Sequence, residues 1–129
     1  MTSLRLFLHV LAASVWVGGQ LVLLGLVPTV RQYGAEATTA VARAFNRVAW
    51  PAFAVAVLTG MWNVFAVPLE LLRHPWIELK VLCVALSGVG AWVHQMARGN
   101  RAMLAAGGAA SLGFGVAAMY LGFLVVPAV

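Results

Sequence analysis

Apolar residues fill most of the chain in four long runs, each interrupted by only a few polar side chains. A helix that crosses a bilayer needs about 20 consecutive, mainly apolar residues. The pattern therefore predicts four membrane-spanning helices, at about residues 4–27, 41–67, 76–97 and 103–126. The expected fold class is an all-α integral membrane protein, a four-transmembrane-helix bundle that forms a single membrane domain over residues 1–129.

The polar and small side chains inside each run recur at spacings of three and four residues, which places them on one face of a helix. These stripes comprise His9, Ala13, Trp16 and Gln20 in the first helix, Ala52, Ala56, Thr59 and Asn63 in the second, Lys80, Cys83, Ser87, Gly90 and His94 in the third, and Gly107, Ser111 and Gly115 in the fourth. We expect the stripes to face the interior of the bundle. In the fourth helix, small residues at every fourth position allow close packing against a neighbour.

Composition supports a membrane protein, since 64% of the 129 residues are hydrophobic and only 9% are charged. The first run is longer than the roughly 7–15 apolar residues of a signal-peptide core, so we expect it to remain as a helix. The single cysteine, Cys83, excludes an intramolecular disulfide and is expected to serve packing.

The distribution of basic residues predicts the orientation in the membrane. The side formed by the first and third connections carries five, which are Arg31, Arg43, Arg47, Arg98 and Arg101, and the other side carries three, which are Arg5, Arg73 and Lys80. Cytoplasmic loops carry the excess of Lys and Arg, so the first side is expected to be cytoplasmic and both termini outside. The net charge of +5 is thus attributed to orientation in a lipid bilayer, and no nucleic-acid partner is expected.

Four polar side chains are predicted to lie at one depth, in the outer half of the bundle. With a rise of about 1.5 Å per residue, each lies roughly 6–9 Å inside the outer end of its helix. They are His9, Asn63, Lys80 and Tyr120. Polar groups at membrane depth are costly and often functional, which predicts a common site. The alternative is that His9 and Lys80 reach outward to the headgroups.

His94 and Gln20 are placed near the cytoplasmic end of their helices. His94 lies 14 positions after Lys80, about 21 Å along the helix axis. His9 and His94 therefore cannot ligate one metal ion within a single subunit. A separate second site with His94 and Gln20 remains open at this point, as does headgroup contact by His94.

Three stretches carry a resemblance to a known family. They are LHVLAASVWVGG in the first helix, FNRVAWPAFAVAVLTGMWNV in the second and WIELKVLCV in the third. The chain resembles the CopD (copper-resistance protein D) family and the related HemJ-type protoporphyrinogen oxidases. CopD relatives are bacterial inner-membrane proteins linked to copper uptake or tolerance. HemJ relatives bind haem b, and the resemblance implies His9 and Lys80 as the essential pair of that branch.

The leading functional expectation is copper handling in the bacterial inner membrane, because LTGMWN in the second helix favours the CopD branch. His9 is the expected metal ligand. The first alternative is a haem b-binding oxidoreductase whose cofactor contacts His9, Asn63, Lys80 and Tyr120, with Lys80 also catalytic. The second is a cofactor-free accessory subunit of a larger membrane complex. A homodimer or another membrane partner is compatible with each of these functions.

Overall fold

A computed structural model describes residues 2–68, 70 and 75–125. It contains four helices, α1 (Thr2–Arg31), α2 (Ala35–Phe65), α3 (Pro75–Met96) and α4 (Arg101–Val125). Each is long and apolar enough to cross a membrane, and the described residues include no strand. The predicted all-α class with four membrane-spanning helices is therefore confirmed. Arg73 and Val126, which entered the predictions, lie outside the described residues.

The first connection is shorter than the sequence pattern predicts. The pattern predicts that the first helix ends at about residue 27 and the second begins at about residue 41, but α1 continues to Arg31 and α2 already begins at Ala35. Gly34 ends α1 with a φ of +99°, and its amide donates to the Arg31 carbonyl at 3.2 Å. Glycine accepts this left-handed conformation without a Cβ penalty. The prediction failed because a helix keeps its internal hydrogen bonds after its side chains turn polar at the bilayer surface.

The chain divides into two compact units, residues 1–63 and 64–129. In the first unit α1 and α2 pack antiparallel, since Arg5 contacts Asn63 near one end and Gly19 approaches Phe45 towards the other. Between these ends, the buried Trp16 ring packs against Trp50 and Phe53, with ring centroids 5.4 and 4.5 Å away. The predicted stripes of the first two helices therefore face each other.

In the second unit α3 and α4 form another antiparallel pair. Ser87 Oγ donates to the Ser111 carbonyl at 2.7 Å, and both serines are buried. The two backbones approach closely at Gly90 and Gly107, where a side chain would overlap the backbone of the other helix. Asn100 caps α4 by accepting a hydrogen bond from the Met103 amide at 3.1 Å. The predicted stripes of the third and fourth helices also meet.

Large apolar side chains cover much of the exposed surface. Phe7 is 60% exposed, Phe65 77% and Phe123 76%, and many leucines and valines are similarly open. In water such an area would be a strong aggregation risk, whereas lipid tails solvate it without cost. The surface of the helices thus supports a multi-pass protein in a lipid bilayer.

Candidate site around His9

His9 lies half-buried on the face of α1 that contacts α2. Its Nδ1 atom is 2.9 Å from the carbonyl oxygen of Ala56 and 3.1 Å from the hydroxyl oxygen of Thr59. Both partners lie on the predicted stripe of the second helix. The imidazole is therefore positioned by α2, one helix away from the residue that carries it.

The hydrogen bonds of Thr59 determine which nitrogen of His9 carries the proton. Thr59 Oγ1 donates its only hydrogen within its own helix, with Val55 O at 2.6 Å as the nearer acceptor. Its oxygen therefore faces His9 as an acceptor, and the Ala56 carbonyl can only accept. Nδ1 must then be the donor. In the neutral ring this assigns the lone pair to Nε2.

Gly60 completes the surface against which the imidazole rests. A Cβ added at Gly60 would lie 3.1 Å from Cε1 and 3.6 Å from Nδ1 of His9. The missing side chain thus allows the ring to lie directly on the backbone of α2. A ring fixed by one nitrogen and by backbone contact keeps its orientation, which a metal-ligating histidine requires.

A second polar contact lies one turn closer to the N-terminus of α1. Arg5 is four positions before His9, so both side chains lie on the same face, about 6 Å apart along the axis. Arg5 Nε donates to Asn63 Oδ1, and both residues are half-buried. The first unit thus brings together His9 and Asn63 of the predicted site, with Arg5 and Thr59 beside them.

The other two residues of the predicted layer belong to the second unit. Lys80 is half-buried in α3 and lies beside α4, where a Cβ added at Gly122 would be 2.9 Å from its Nζ. Tyr120 is 64% exposed. It precedes Gly122 by two positions, which is about 200° around the helix. Within this unit Lys80 therefore lies beside one face of α4, and Tyr120 projects from nearly the opposite face.

The proposed second pair is held by local backbone contacts. Gln20 Nε2 donates to the Trp16 carbonyl of its own helix at 3.2 Å. His94 Nδ1 is 2.7 Å from the Leu104 carbonyl, and its ring lies over Gly108. Each side chain therefore has a structural role within its own unit.

Sequence reasoning did not identify Arg5, Thr59 and Gly60 as site residues. A signal for Arg5 was present, because a residue four positions before a histidine on a helix shares its face. Thr59 was on the predicted stripe, but its role depends on the register between α1 and α2. Gly60 lies next to Thr59 and carries no chemical signal of its own. Helix register is a tertiary property that single-helix periodicity does not contain.

The imidazole of His9 is the candidate ligand that the described residues offer at this site. No group of three His, Cys, Asp or Glu side chains that could hold a metal ion occurs in the described part of the chain. One oriented imidazole would be enough to hold a haem iron, because the porphyrin itself supplies four ligands. His9 is therefore the residue of this site that would ligate a metal ion or a haem iron.

Replacing Thr59 with valine tests the contact between the two helices. The change removes one acceptor from His9 while keeping the side-chain shape, so we expect the free energy of unfolding to fall by about 0.5–1.5 kcal/mol. Thr39→Val, at an exposed position of α2, is the matched control. The free energy of unfolding in detergent should be measured for Thr59→Val both in the wild-type protein and in the His9→Ala variant. An unchanged Thr59 effect in the His9→Ala background would contradict the proposed contact.

Comparison of this chain with protein-family models, with curated proteins and with solved structures gave no match.

Proposed function

We propose that this protein is a CopD-like and HemJ-like membrane protein that binds haem b through His9. The observation that carries the proposal is the pair of acceptors at His9 Nδ1, the Ala56 carbonyl at 2.9 Å and the Thr59 hydroxyl at 3.1 Å. Metal-ligating histidines almost always donate their second ring N–H to such a group, which sets the tautomer and raises the basicity of the ligating nitrogen.

A bound haem would supply reversible one-electron chemistry to an oxidoreductase. The chain contributes the ligand, its orientation and the environment. Ala56 and Thr59 hold the imidazole, and Gly60 allows it to lie against α2. The aromatic group of Trp16, Trp50 and Phe53 continues the same interface and helps to exclude water from it.

Copper handling is the second candidate, favoured by the LTGMWN segment of α2 and its resemblance to the CopD branch. Imidazole is a suitable copper ligand. A copper ion at His9 would need further donors, such as water or a thioether, because the described residues contain no group of three His, Cys, Asp or Glu side chains that could hold a metal ion. Haem needs fewer protein ligands, so we place it first.

We further propose that the protein lies in a bacterial inner membrane with both termini outside. The support is the count of five basic residues on the side of the first and third connections against three on the other. His9 and Arg5 lie near the N-terminal end of α1. This orientation therefore puts the site in the outer half of the membrane.

An absorption spectrum of the full-length protein in a mild detergent tests the proposal. The protein should be expressed with added haem precursor and examined in the oxidised state and after reduction with dithionite. We expect a Soret band that shifts on reduction, and a ratio of haem to chain near one. Haem binding is contradicted if no Soret band is seen in the purified protein and none appears after titration with haemin. If metal analysis of such a sample finds copper, the second candidate is favoured. If the sample contains neither haem nor copper, an accessory subunit is favoured.

A further inference from the structure

One exposed face of α2 changes from polar to apolar along the helix. Residues at spacings of three, four and seven share one face of a helix. On this face the exposed residues include, in chain order, Glu36, Thr39, Arg43, Arg47, Ala54 and Leu58. The polar part of the face therefore ends at Arg47, and an apolar part follows on the same side of the helix.

Two arginines make the polar part of this face basic. Arg43 and Arg47 are four positions apart, so their side chains are neighbours, about 6 Å apart along the axis. Both side chains are exposed. Arginine keeps its positive charge in proteins, and the guanidinium fork matches the oxygens of a phosphate group. The pair thus suits a phosphate held at the surface of α2.

An open groove of about 340 Å³ lies beside the polar part of this face. The groove is lined by Ala35, Glu36, Thr39, Ala40 and Arg43. Thr39 offers a hydroxyl group there. Glu36 lies about 10 Å along the axis from Arg43, at the other end of the groove. With two arginines and one glutamate, the face has a net charge of +1, which favours a ligand with net negative charge.

The chain has two other acidic side chains, Glu70 and Glu78. Glu70 follows α2 in sequence, and Glu78 lies in the first turn of α3. A crossing of the membrane by α2 puts both residues on the side opposite to Arg43. Glu36 is then the one acidic side chain of the sequence on the side of the two arginines.

The apolar part of the face matches one lipid leaflet in length. From Arg47 to Leu58 the helix rises about 16 Å, and half of the hydrocarbon core of a bilayer is about 15 Å thick. Leu58 is 66% exposed. A molecule with a phosphate at one end and acyl chains at the other would contact both parts of this face. A soluble phosphate compound would use the polar part alone.

We propose that this face of α2 binds an anionic phospholipid. Its phosphate contacts Arg43 and Arg47, its headgroup enters the groove beside Thr39, and its acyl chains follow the helix towards Leu58. This inference is independent of the function proposed for His9, because it uses neither the imidazole nor a cofactor. In the orientation proposed above, the lipid belongs to the cytoplasmic leaflet.

The test measures lipid binding to the full-length protein in an uncharged detergent by native mass spectrometry. Phosphatidylglycerol and phosphatidylcholine with the same acyl chains are titrated separately, which gives a dissociation constant for the first bound lipid of each kind. Wild type is expected to bind phosphatidylglycerol about 5-fold to 25-fold more tightly. Arg43→Gln and Arg47→Gln should each reduce this preference about 5-fold, by weakening the binding of phosphatidylglycerol.

Two further variants make the result specific to this face. Arg101→Gln removes one positive charge at the start of α4, which lies on the same side of the membrane because α2 and α3 cross it in between. This matched control should keep the preference. Glu36→Gln removes the negative charge of the groove and should raise the preference, by at most about 5-fold. Circular dichroism checks that each variant keeps its helical structure.

Three results would overturn the inference. The first is equal affinity of wild type for the two lipids, and the second is a preference that persists when Arg43 and Arg47 are both replaced by glutamine. The second result is also expected if the arginines contact an acidic segment of a partner protein. The third is displacement of bound phosphatidylglycerol by an equal concentration of soluble glycerol 3-phosphate, which would assign the groove to a soluble phosphate compound.

Discussion

His9→Ala is expected to abolish the Soret band of the purified protein. Under the proposed function, the substitution removes the imidazole that would hold the haem iron, and the carbonyl of Ala56 and the hydroxyl of Thr59 would not replace it as ligands. We expect the affinity for haemin to fall by more than about 100-fold. The measurement is a haemin titration followed by absorption at the Soret maximum, with the folded state of the variant checked by circular dichroism.

Two controls make this result specific to the ligand. His94→Ala removes an imidazole from the other unit, where Nδ1 contacts the Leu104 carbonyl, and should leave the band unchanged. Imidazole added to the His9→Ala protein should restore part of the band, because a small ligand can enter the space left by the side chain. A full Soret band in His9→Ala, or its loss only in His94→Ala, would contradict the assignment of His9.

The buried face of each helix could be predicted from sequence because both units are antiparallel pairs of helices that meet through one stripe of small and polar residues on each helix. Stripes that contain Thr59, Ser87 and Ser111 differ strongly from the lipid-facing positions around them, and their periodicity is sufficient to identify the buried side. The same reasoning placed Cys83 inside the third helix, where it is 6% exposed. Contrast in polarity between two faces is a local property of each helix.

Contacts at the site depend on features that this periodicity does not encode. The stripe predicted that His9 faces another helix, but the acceptors at its Nδ1 follow from the register of α1 against α2. Arg5 was counted as a topology signal alone, because charge near a helix end is usually explained by the membrane surface. Only its contact with Asn63 distinguishes it from other interfacial arginines.

Gly107→Ala is expected to produce the largest loss of stability among glycine-to-alanine substitutions in the second unit. An added Cβ would lie 2.5 Å from the backbone nitrogen of His94 and 2.8 Å from the Gly90 carbonyl oxygen. Both atoms belong to the backbone, so no side-chain rotation can relieve the overlap. The two helices must move apart, and overpacking of this kind costs about 1–3 kcal/mol.

Gly113→Ala is the matched control because it makes the same chemical change in the same helix. Among the described residues, nothing lies within 4 Å of a Cβ added there. Alanine favours the helix over glycine by up to about 1 kcal/mol, so this variant should be unchanged or slightly more stable. Unfolding midpoints in detergent should therefore separate the two alanine variants. Equal midpoints would mean that α3 and α4 do not approach at Gly107, because an identical gain in helix propensity would then act alone at both positions.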